Sequence, residues 1–249
     1  MVAFQRVFSK VKINKNVFNT LEEEVRAKNK SVTCLSTDTY DKFIHLIHNK
    51  FSSNEVEMIM AVLDFAKSLN SVSKSHPLMM TYLNHPIRVA MMTVMLLEEA
   101  DYEVTMIGLI HNVYEVSGLT EKNLLDEGFS EFVVKGIRLL TIDRDLQYDL
   151  EYLEQYYTDI ENFSPVLSLI RCLDKLDNVL IFELIREENN RKIYLDLVEK
   201  FIVPMSYRLS DYLGGFLQQA TKYMQIKGCV EEAALEYECF NNKLLEKNQ

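Results

Sequence analysis

Residues 108–115 (GLIHNVYE) place polar side chains on a segment that otherwise has the composition of a buried helix. His111, Asn112 and Glu115 bring an imidazole, an amide and a carboxylate among apolar neighbours. Polar groups that leave water need partners, and a metal ion can satisfy several of them together. The segment therefore predicts a candidate metal site.

Two further residues of metal-ligating type lie in separate segments. His85 belongs to residues 82–86 (YLNHP), and Asp174 belongs to residues 172–178 (CLDKLDN), where its apolar neighbours would make an unpaired charge costly. One helix face cannot surround a cation, so ligands from several helices are required. Glu115 follows His111 by one helical turn and is expected to face the same side, where an acid can orient or deprotonate an attacking water.

Simpler interpretations of the same residues stay open. A histidine before a proline is often a cap or a surface group, and a histidine in an apolar helix is often a hydrogen-bonded core residue. Asp174 stands beside Lys175, which could simply neutralise it, and Glu115 could be a solvated position near a helix end. His45 and His48 are spaced by three residues, but no third ligand is evident nearby, so we expect both at the surface.

Composition indicates an all-α protein. The chain has 249 residues, is 48% hydrophobic and contains only seven glycines and four prolines, which favours long helices with few tight turns. Apolar residues recur at helical spacing in almost every segment. The formal net charge of −10, without a long basic run, disfavours nucleic-acid binding as the main role. A local basic pocket for a phosphorylated small molecule is compatible with this net charge.

Membrane insertion and secretion are not expected. The longest apolar stretch, Val89 to Leu97, is too short to span a bilayer, and residues 1–6 lack the apolar centre of a signal peptide. Four cysteines show no CxxC spacing, which is typical of reduced thiols in a cytoplasmic protein.

The helical pattern suggests three parts. Residues 1–40 are a leader of unknown role, residues 41–225 a compact multi-helix bundle, and residues 226–249 a charged helical tail. Periodicity and capping signals predict helices at 55–69, 86–97, 101–114, 120–126, 129–140, 143–160, 165–182, 194–209 and 211–224. Pro86 is expected in the first turn of its helix, where a proline is best tolerated.

Four blocks of residues 41–224 resemble the amino-terminal hydrolase domain of RelA/SpoT proteins and small alarmone hydrolases, a group of HD-domain proteins. The family patterns PYIxHPxxVA, LLHDVVEDT, KLADRLHNM and APLAHRLG correspond in order to residues 81–90 (TYLNHPIRVA), 109–117 (LIHNVYEVS), 171–179 (RCLDKLDNV) and 203–210 (VPMSYRLS). These proteins remove the 3′-pyrophosphate of (p)ppGpp with Mn²⁺. The resemblance implies an HD-domain helical bundle with a divalent metal, Mn²⁺ being the expected ion.

The resemblance assigns a role to each candidate residue. The metal ligands would be His85, His111, position 112 and Asp174, and Glu115 would be catalytic. Substrate contacts would come from three further residues: Lys74, Tyr82 and Asn178.

The differences from the family are concentrated at the residues that would bind the metal, the attacking water and the phosphate. The aspartate of the His-Asp pair is replaced by Asn112, whose amide oxygen can coordinate a cation but brings no charge. The family's Glu-Asp pair becomes Glu115-Val116, and valine cannot transfer a proton. The family's basic RKxGxPY segment keeps one basic residue, Lys74, and no arginine to clamp a phosphate.

Three functions are compatible with this set. The first is a diverged domain that binds a nucleotide or phosphorylated small molecule, with alarmone hydrolysis weakened or lost. The second is an active divalent-metal-dependent phosphohydrolase acting on a nucleotide pyrophosphate or another phosphoester, because three protein ligands and Glu115 remain. The third uses His85, His111 and Asp174 as a facial triad for iron and oxygen chemistry.

Overall fold

The computed structural model describes residues 11–33, 37–69 and 79–246, without the side chains of 79–82 and 243–246. Apart from one isolated bridge between Ile13 and Leu97, the secondary structure of these residues is helical. The all-α prediction is therefore confirmed. None of the described helices is both long and apolar enough to cross a bilayer.

The helices are numbered in chain order. They are α1 (Leu21–Thr33), α2 (Asp38–Lys50), α3 (Ser53–Leu69), α4 (Met79–Leu96), α5 (Tyr102–Ile110), α6 (Val113–Val116), α7 (Glu121–Asp126), α8 (Glu131–Leu140), α9 (Leu150–Phe163), α10 (Pro165–Val179), α11 (Glu188–Leu197), α12 (Val203–Leu209), α13 (Asp211–Lys227) and α14 (Glu231–Glu246). A 3₁₀ turn at Phe182–Leu184 follows α10, and a π-helical turn at Val198–Ile202 joins α11 to α12.

Helices α4, α5 and α10 form the centre of the bundle. α4 packs against both α5 and α10. Eight of the nine residues of α5 and twelve of the fifteen residues of α10 are buried. Ser164 caps α10, and Pro165 occupies its first turn, where the missing N–H is not needed. Polar side chains on these helices must find their partners inside the protein.

A glycine allows α5 to approach α4 closely. A Cβ atom built on Gly108 would lie 3.0 Å from the Cα atom of Ala90, which is tighter than most contacts to a Cβ. The absence of a side chain at Gly108 thus sets the distance between the helix that carries His85 and the helix that ends just before His111.

Two predicted helix boundaries next to the candidate site are wrong. Pro86 does not open its helix, because α4 begins at Met79 and continues through the proline. A proline removes one N–H donor, and the packing of α4 against α5 and α10 outweighs that loss. The predicted helix 101–114 is interrupted, since α5 ends at Ile110 and α6 begins at Val113. The His111 ring bonds to the backbone carbonyl of Gly108, and Asn112 has a non-helical backbone.

Other boundaries differ for local reasons. The predicted helix 143–160 starts only at Leu150, where the side chain of Asp149 caps it, so residues 141–149 form a connecting loop. The predicted helix 194–209 starts earlier and contains the π-helical turn, because Pro204 cannot donate to the preceding turn.

The two ends of the described chain pack on the bundle. α1 contacts α4, α13 and α14, and α14 lies against the 3₁₀ turn at Phe182–Leu184. The division of the chain into leader, bundle and tail stays a prediction.

Candidate metal centre

Three side chains from three elements meet at one point. His85 comes from α4, His111 from the turn after α5, and Asp174 from α10, and their ligand atoms lie within 4.8 Å of one another. The Nε2 atom of His85 is 3.3 Å from Asp174 Oδ1, and His111 Nε2 is 3.7 Å from the same oxygen. The two imidazole rings meet edge to face, with centroids 5.1 Å apart. Two imidazole nitrogens and a carboxylate are a suitable donor set for a divalent cation.

Hydrogen bonds orient both rings. His85 Nδ1 lies 2.8 Å from Asp177 Oδ2, and His111 Nδ1 lies 2.8 Å from the carbonyl oxygen of Gly108. Because ionised carboxylate and carbonyl oxygens only accept, each Nδ1 carries a hydrogen. In a neutral ring the lone pair is then on Nε2, the atom that faces Asp174. Such a partner behind a histidine is typical of metal ligands.

Burial and hydrogen bonding act in opposite directions on the pKa of both His85 and Asp174. Burial acts to lower the pKa of His85, but hydrogen bonds to Asp174 and Asp177 outweigh burial and raise it. Burial acts in the opposite direction on Asp174, yet Lys175, the two histidines and Arg171 hold the pKa of that carboxyl well below its usual range. Asp174 is therefore ionised and can serve as a negatively charged metal ligand.

Asp174 also has partners outside the histidine pair. Its Oδ2 accepts from Arg171 Nη1 at 2.6 Å and lies 3.2 Å from Lys175 Nζ, while its Oδ1 accepts from Asn178 Nδ2 at 3.0 Å. These contacts fix the carboxylate in one orientation. The ion pair with Lys175 thus coexists with an arrangement in which His85, His111 and Asp174 could bind a metal.

Asn112 and Glu115 line the same cavity as the three candidate metal ligands, His85, His111 and Asp174. Asn112 lies in the turn that follows His111 and is partly exposed. The Glu115 carboxylate accepts a hydrogen bond from Arg144 Nη2, a residue of the 141–149 loop. The candidate catalytic acid is thus ion-paired with a cation that the sequence reasoning did not select.

The predicted substrate contacts have different outcomes. Asn178 lines the cavity with its amide nitrogen bonded to Asp174. Lys74 and the side chain of Tyr82 lie outside the described part of the chain. His45 and His48 are exposed on α2, as expected.

The cavity has a volume of about 410 Å³ and a mixed lining. Its charged side chains are three cations and two carboxylates: Arg144, Arg171, Lys175, Glu115 and Asp174. Its apolar and aromatic wall consists of Ile142, Ile181, Phe182, Ile185 and Tyr194. Arg171 Nε is buried and has no hydrogen-bond partner among the described residues. A buried donor of this kind favours an acceptor group, such as a water or a phosphate oxygen, in the cavity.

A buried ionic cluster behind His85 was missed by sequence reasoning. Asp177, one helical turn after Asp174, is fully buried and contacts Lys28 of α1, Arg88 of α4 and His85. Burial would raise the pKa of Asp177, but Lys28, Arg88 and His85 lower it far below its ordinary value. The spacing of Asp177 from Asp174 was a usable signal, because both lie on one apolar helix. Lys28 gave no signal, because it lies in a uniformly charged segment.

Comparisons with known proteins show what this chain is similar to. No model of a known protein family matches the chain. A guanosine-3′,5′-bis(diphosphate) 3′-pyrophosphohydrolase from Aquifex aeolicus (strain VF5) is 29% identical over 158 residues, which is 61% of this chain and 22% of that protein. The chain thus matches about a fifth of the length of this relative.

A solved structure shares the fold. It is described as a metazoan orthologue of SpoT that hydrolyses ppGpp and plays a role in starvation responses, and it superposes with a TM-score of 0.55. The match covers 72% of this chain and 99% of that structure at 21% identity. Together with the Aquifex relative, it confirms the resemblance to RelA/SpoT-like hydrolase domains and the HD-domain fold.

Proposed function

We propose that this RelA/SpoT-like HD domain binds a nucleotide or another phosphorylated small molecule next to a divalent metal, and that its hydrolysis of alarmones is weak or lost. The observation that carries the proposal is the ion pair between Glu115 and Arg144 in a cavity whose His-Asp pair has become His111-Asn112. The expected location is the cytoplasm.

The charges in the cavity favour an anionic ligand. Three cationic side chains face two carboxylates there, although the whole chain carries a net charge of −10. Arginine and lysine are the usual partners of phosphate oxygens. The apolar wall offers Phe182 and Tyr194 to a planar base, and the volume lies in the range of ordinary ligand pockets.

The donor set fits a metal ion. His85, His111 and Asp174 would hold it, and Asn112 could add an uncharged amide oxygen. Mn²⁺ is the ion that the resemblance implies. When bound, such an ion neutralises phosphate charge and lowers the pKa of a coordinated water.

Hydrolysis is expected to be slow for three separate reasons. Asn112 brings no charge to the metal, Val116 cannot accept a proton, and Glu115 is held by Arg144. The loss of general acid–base catalysis alone costs about two to four orders of magnitude in rate.

The test is to incubate the purified protein with ppGpp and Mn²⁺. Titration calorimetry should detect Mn²⁺ and nucleotide binding, while chromatography should show little or no release of pyrophosphate. Asp174→Asn should abolish Mn²⁺ binding, and Asp196→Asn, at an exposed position paired with Lys192, should not. Turnover of ppGpp on the scale of seconds would overturn the loss of activity. Absence of Mn²⁺ binding to the folded protein would overturn the metal site.

A second candidate function is an active phosphohydrolase with a different substrate. It is favoured by the orientation of both histidines, whose Nε2 atoms face Asp174 as they would in a working centre. A panel of nucleotide pyrophosphates and phosphomonoesters tested with Mn²⁺ would decide. Turnover that disappears in Asp174→Asn supports this function, and turnover that persists excludes it.

A further inference from the structure

The candidate metal centre is continuous with the first helix through one carboxylate. Asp177 Oδ2 accepts from Lys28 Nζ and from His85 Nδ1, and Asp177 Oδ1 accepts from Arg88 Nε at 2.7 Å. We propose that Lys28 is a positioning residue for this centre: acting through Asp177, it holds His85 with Nε2 directed at Asp174 and His111. The inference rests on the proposed metal-binding function.

The burial of Lys28, Asp177 and Arg88 argues against a purely structural role for these ion pairs. The side chain of Lys28 is 3% exposed, that of Asp177 is 0% exposed, and that of Arg88 is 7% exposed. Buried ion pairs are often no more stabilising than apolar side chains of similar volume. An apolar residue at position 177, however, could not accept the Nδ1 hydrogen of His85. The cluster therefore orients the His85 ring, which apolar packing at position 177 could not do.

Lys28 determines the position of one particular oxygen. Arg88 binds Oδ1 of Asp177, whereas Lys28 and His85 share Oδ2. With Lys28 in place, both oxygens of the carboxylate are anchored by cations from two different helices, so the group cannot rotate. Without Lys28, the carboxylate is anchored by a cation at Oδ1 alone, and the acceptor of His85 can shift.

α1 is also anchored right beside His85 by a second contact. Asn84, which precedes His85 in α4, donates from Nδ2 to the backbone carbonyl of Ser31 at 2.7 Å, and both residues are buried. This contact keeps the backbone of α1 next to α4 independently of the Lys28 charge. A change at Lys28 is therefore expected to disturb the orientation of His85 without releasing the helix.

Lys28→Met tests the inference, because methionine keeps an unbranched chain and removes the ammonium group. Calorimetric titration with Mn²⁺ should show a dissociation constant raised about ten- to a hundredfold, the range typical of residues that support a metal ligand. Lys28→Arg keeps a cation and should restore part of the affinity. Lys30→Met, on the same helix at an exposed position paired with Asp38, should leave the affinity unchanged.

A second readout needs no metal and no enzymatic activity. Long-range ¹H–¹⁵N NMR spectra of the metal-free protein, followed upward in pH until the His85 ring is neutral, report which ring nitrogen carries the hydrogen. His85 of the wild-type protein should be protonated on Nδ1, and Lys28→Met should give a mixture of tautomers. His111, held by the Gly108 carbonyl, should be unchanged and serves as the internal control.

The outcomes separate this inference from the proposed function. A folded Lys28→Met protein that binds Mn²⁺ as tightly as wild type overturns the role of Lys28 and leaves the metal site standing. If the variant does not fold, the wild-type spectrum still decides, because a neutral His85 ring with its hydrogen on Nε2 instead of Nδ1 contradicts the proposed orientation. If the wild-type protein binds no Mn²⁺, the proposed function fails, and the inference fails with it.

Discussion

Arg144 holds Glu115 at the edge of the candidate site. The guanidinium donates to the carboxylate oxygen Oε2, and the arginine side chain is 65% exposed whereas the glutamate side chain is 13% exposed. A cation that reaches from a loop over a partly buried carboxylate can also meet an incoming anion. This relationship suggests that the same arginine restrains the acid and attracts the ligand.

Arg144→Gln should weaken nucleotide binding. A hydrogen bond to a charged group contributes about 1.5–3 kcal/mol, so the dissociation constant for ppGpp should rise about tenfold or more. Calorimetry or equilibrium dialysis measures the change. Arg138→Gln is the matched control, because Arg138 is exposed, pairs with Glu121 and is absent from the cavity wall. Equal affinities of the Arg144→Gln and wild-type proteins would contradict an anion site in this cavity.

Asn112→Asp should strengthen metal binding. The substitution restores a negative charge next to His111, and hard divalent cations prefer charged oxygen ligands. We expect the affinity for Mn²⁺ to rise by about one order of magnitude, measured by titration with Mn²⁺. Asn49→Asp makes the same change in net charge at an exposed position of α2 and should have no such effect. An unchanged affinity in Asn112→Asp would remove position 112 from the ligand set.

Asp177→Asn should destabilise the protein strongly. It leaves Lys28 and Arg88 buried with a neutral partner, and breaking a buried ion pair costs about 3–5 kcal/mol. Urea unfolding followed by circular dichroism gives the free energy of unfolding. Asp64→Asn removes an exposed pair with Lys67 and should cost less than about 1 kcal/mol. Similar losses in the two variants would mean that the cluster around Asp177 is not desolvated.

Gly108→Ala should destabilise the protein, and Gly215→Ala should stabilise it. The new methyl group at position 108 would press on the backbone of Ala90, and overpacking costs about 1–3 kcal/mol. Position 215 lies inside α13 with no heavy atom within 4 Å of an added Cβ, so alanine gains about 0.5–1 kcal/mol from helix propensity. Thermal melts of the two variants should shift in opposite directions. Shifts of equal sign would contradict the close approach of α5 to α4.

Cys172 should resist alkylation in the folded protein. Burial raises the pKa of this thiol far above its ordinary value, so it stays protonated, and the thiolate is the reactive form. Cys239 is exposed and should react readily. Mass spectrometry after iodoacetamide treatment at about pH 8, well below the raised pKa, measures both sites. Modification of Cys172 at the rate of Cys239 would show that α10 opens on that timescale.

The sequence predicts the fold well because helical periodicity reflects burial directly. Helix boundaries are predicted less well from the sequence where a single side chain bonds to the backbone or where packing from other helices decides. His111 ends α5 by bonding to the Gly108 carbonyl, and Pro86 is carried inside α4 by packing from other helices. Neither effect is visible in a local pattern of apolar residues.

The donors of the candidate site could be selected from sequence because each is a polar residue in an apolar segment. Their supporting partners could not. Lys28 and Asp177 are 149 positions apart, and one sequence does not reveal a pair at that separation. Arg144 belongs to a loop whose path depends on the late start of α9 at Leu150. Partners of this kind are fixed by tertiary packing alone.

Asp174 and Asp177 project from the same turn of α10 to the two nitrogens of the His85 ring, and Asp177 also meets Lys28 of α1. A small rotation of that helix about its axis would move both carboxylates together. The metal-binding side of the cavity and the packing surface of α1 are therefore mechanically linked, so a shift of α10 is expected to change both.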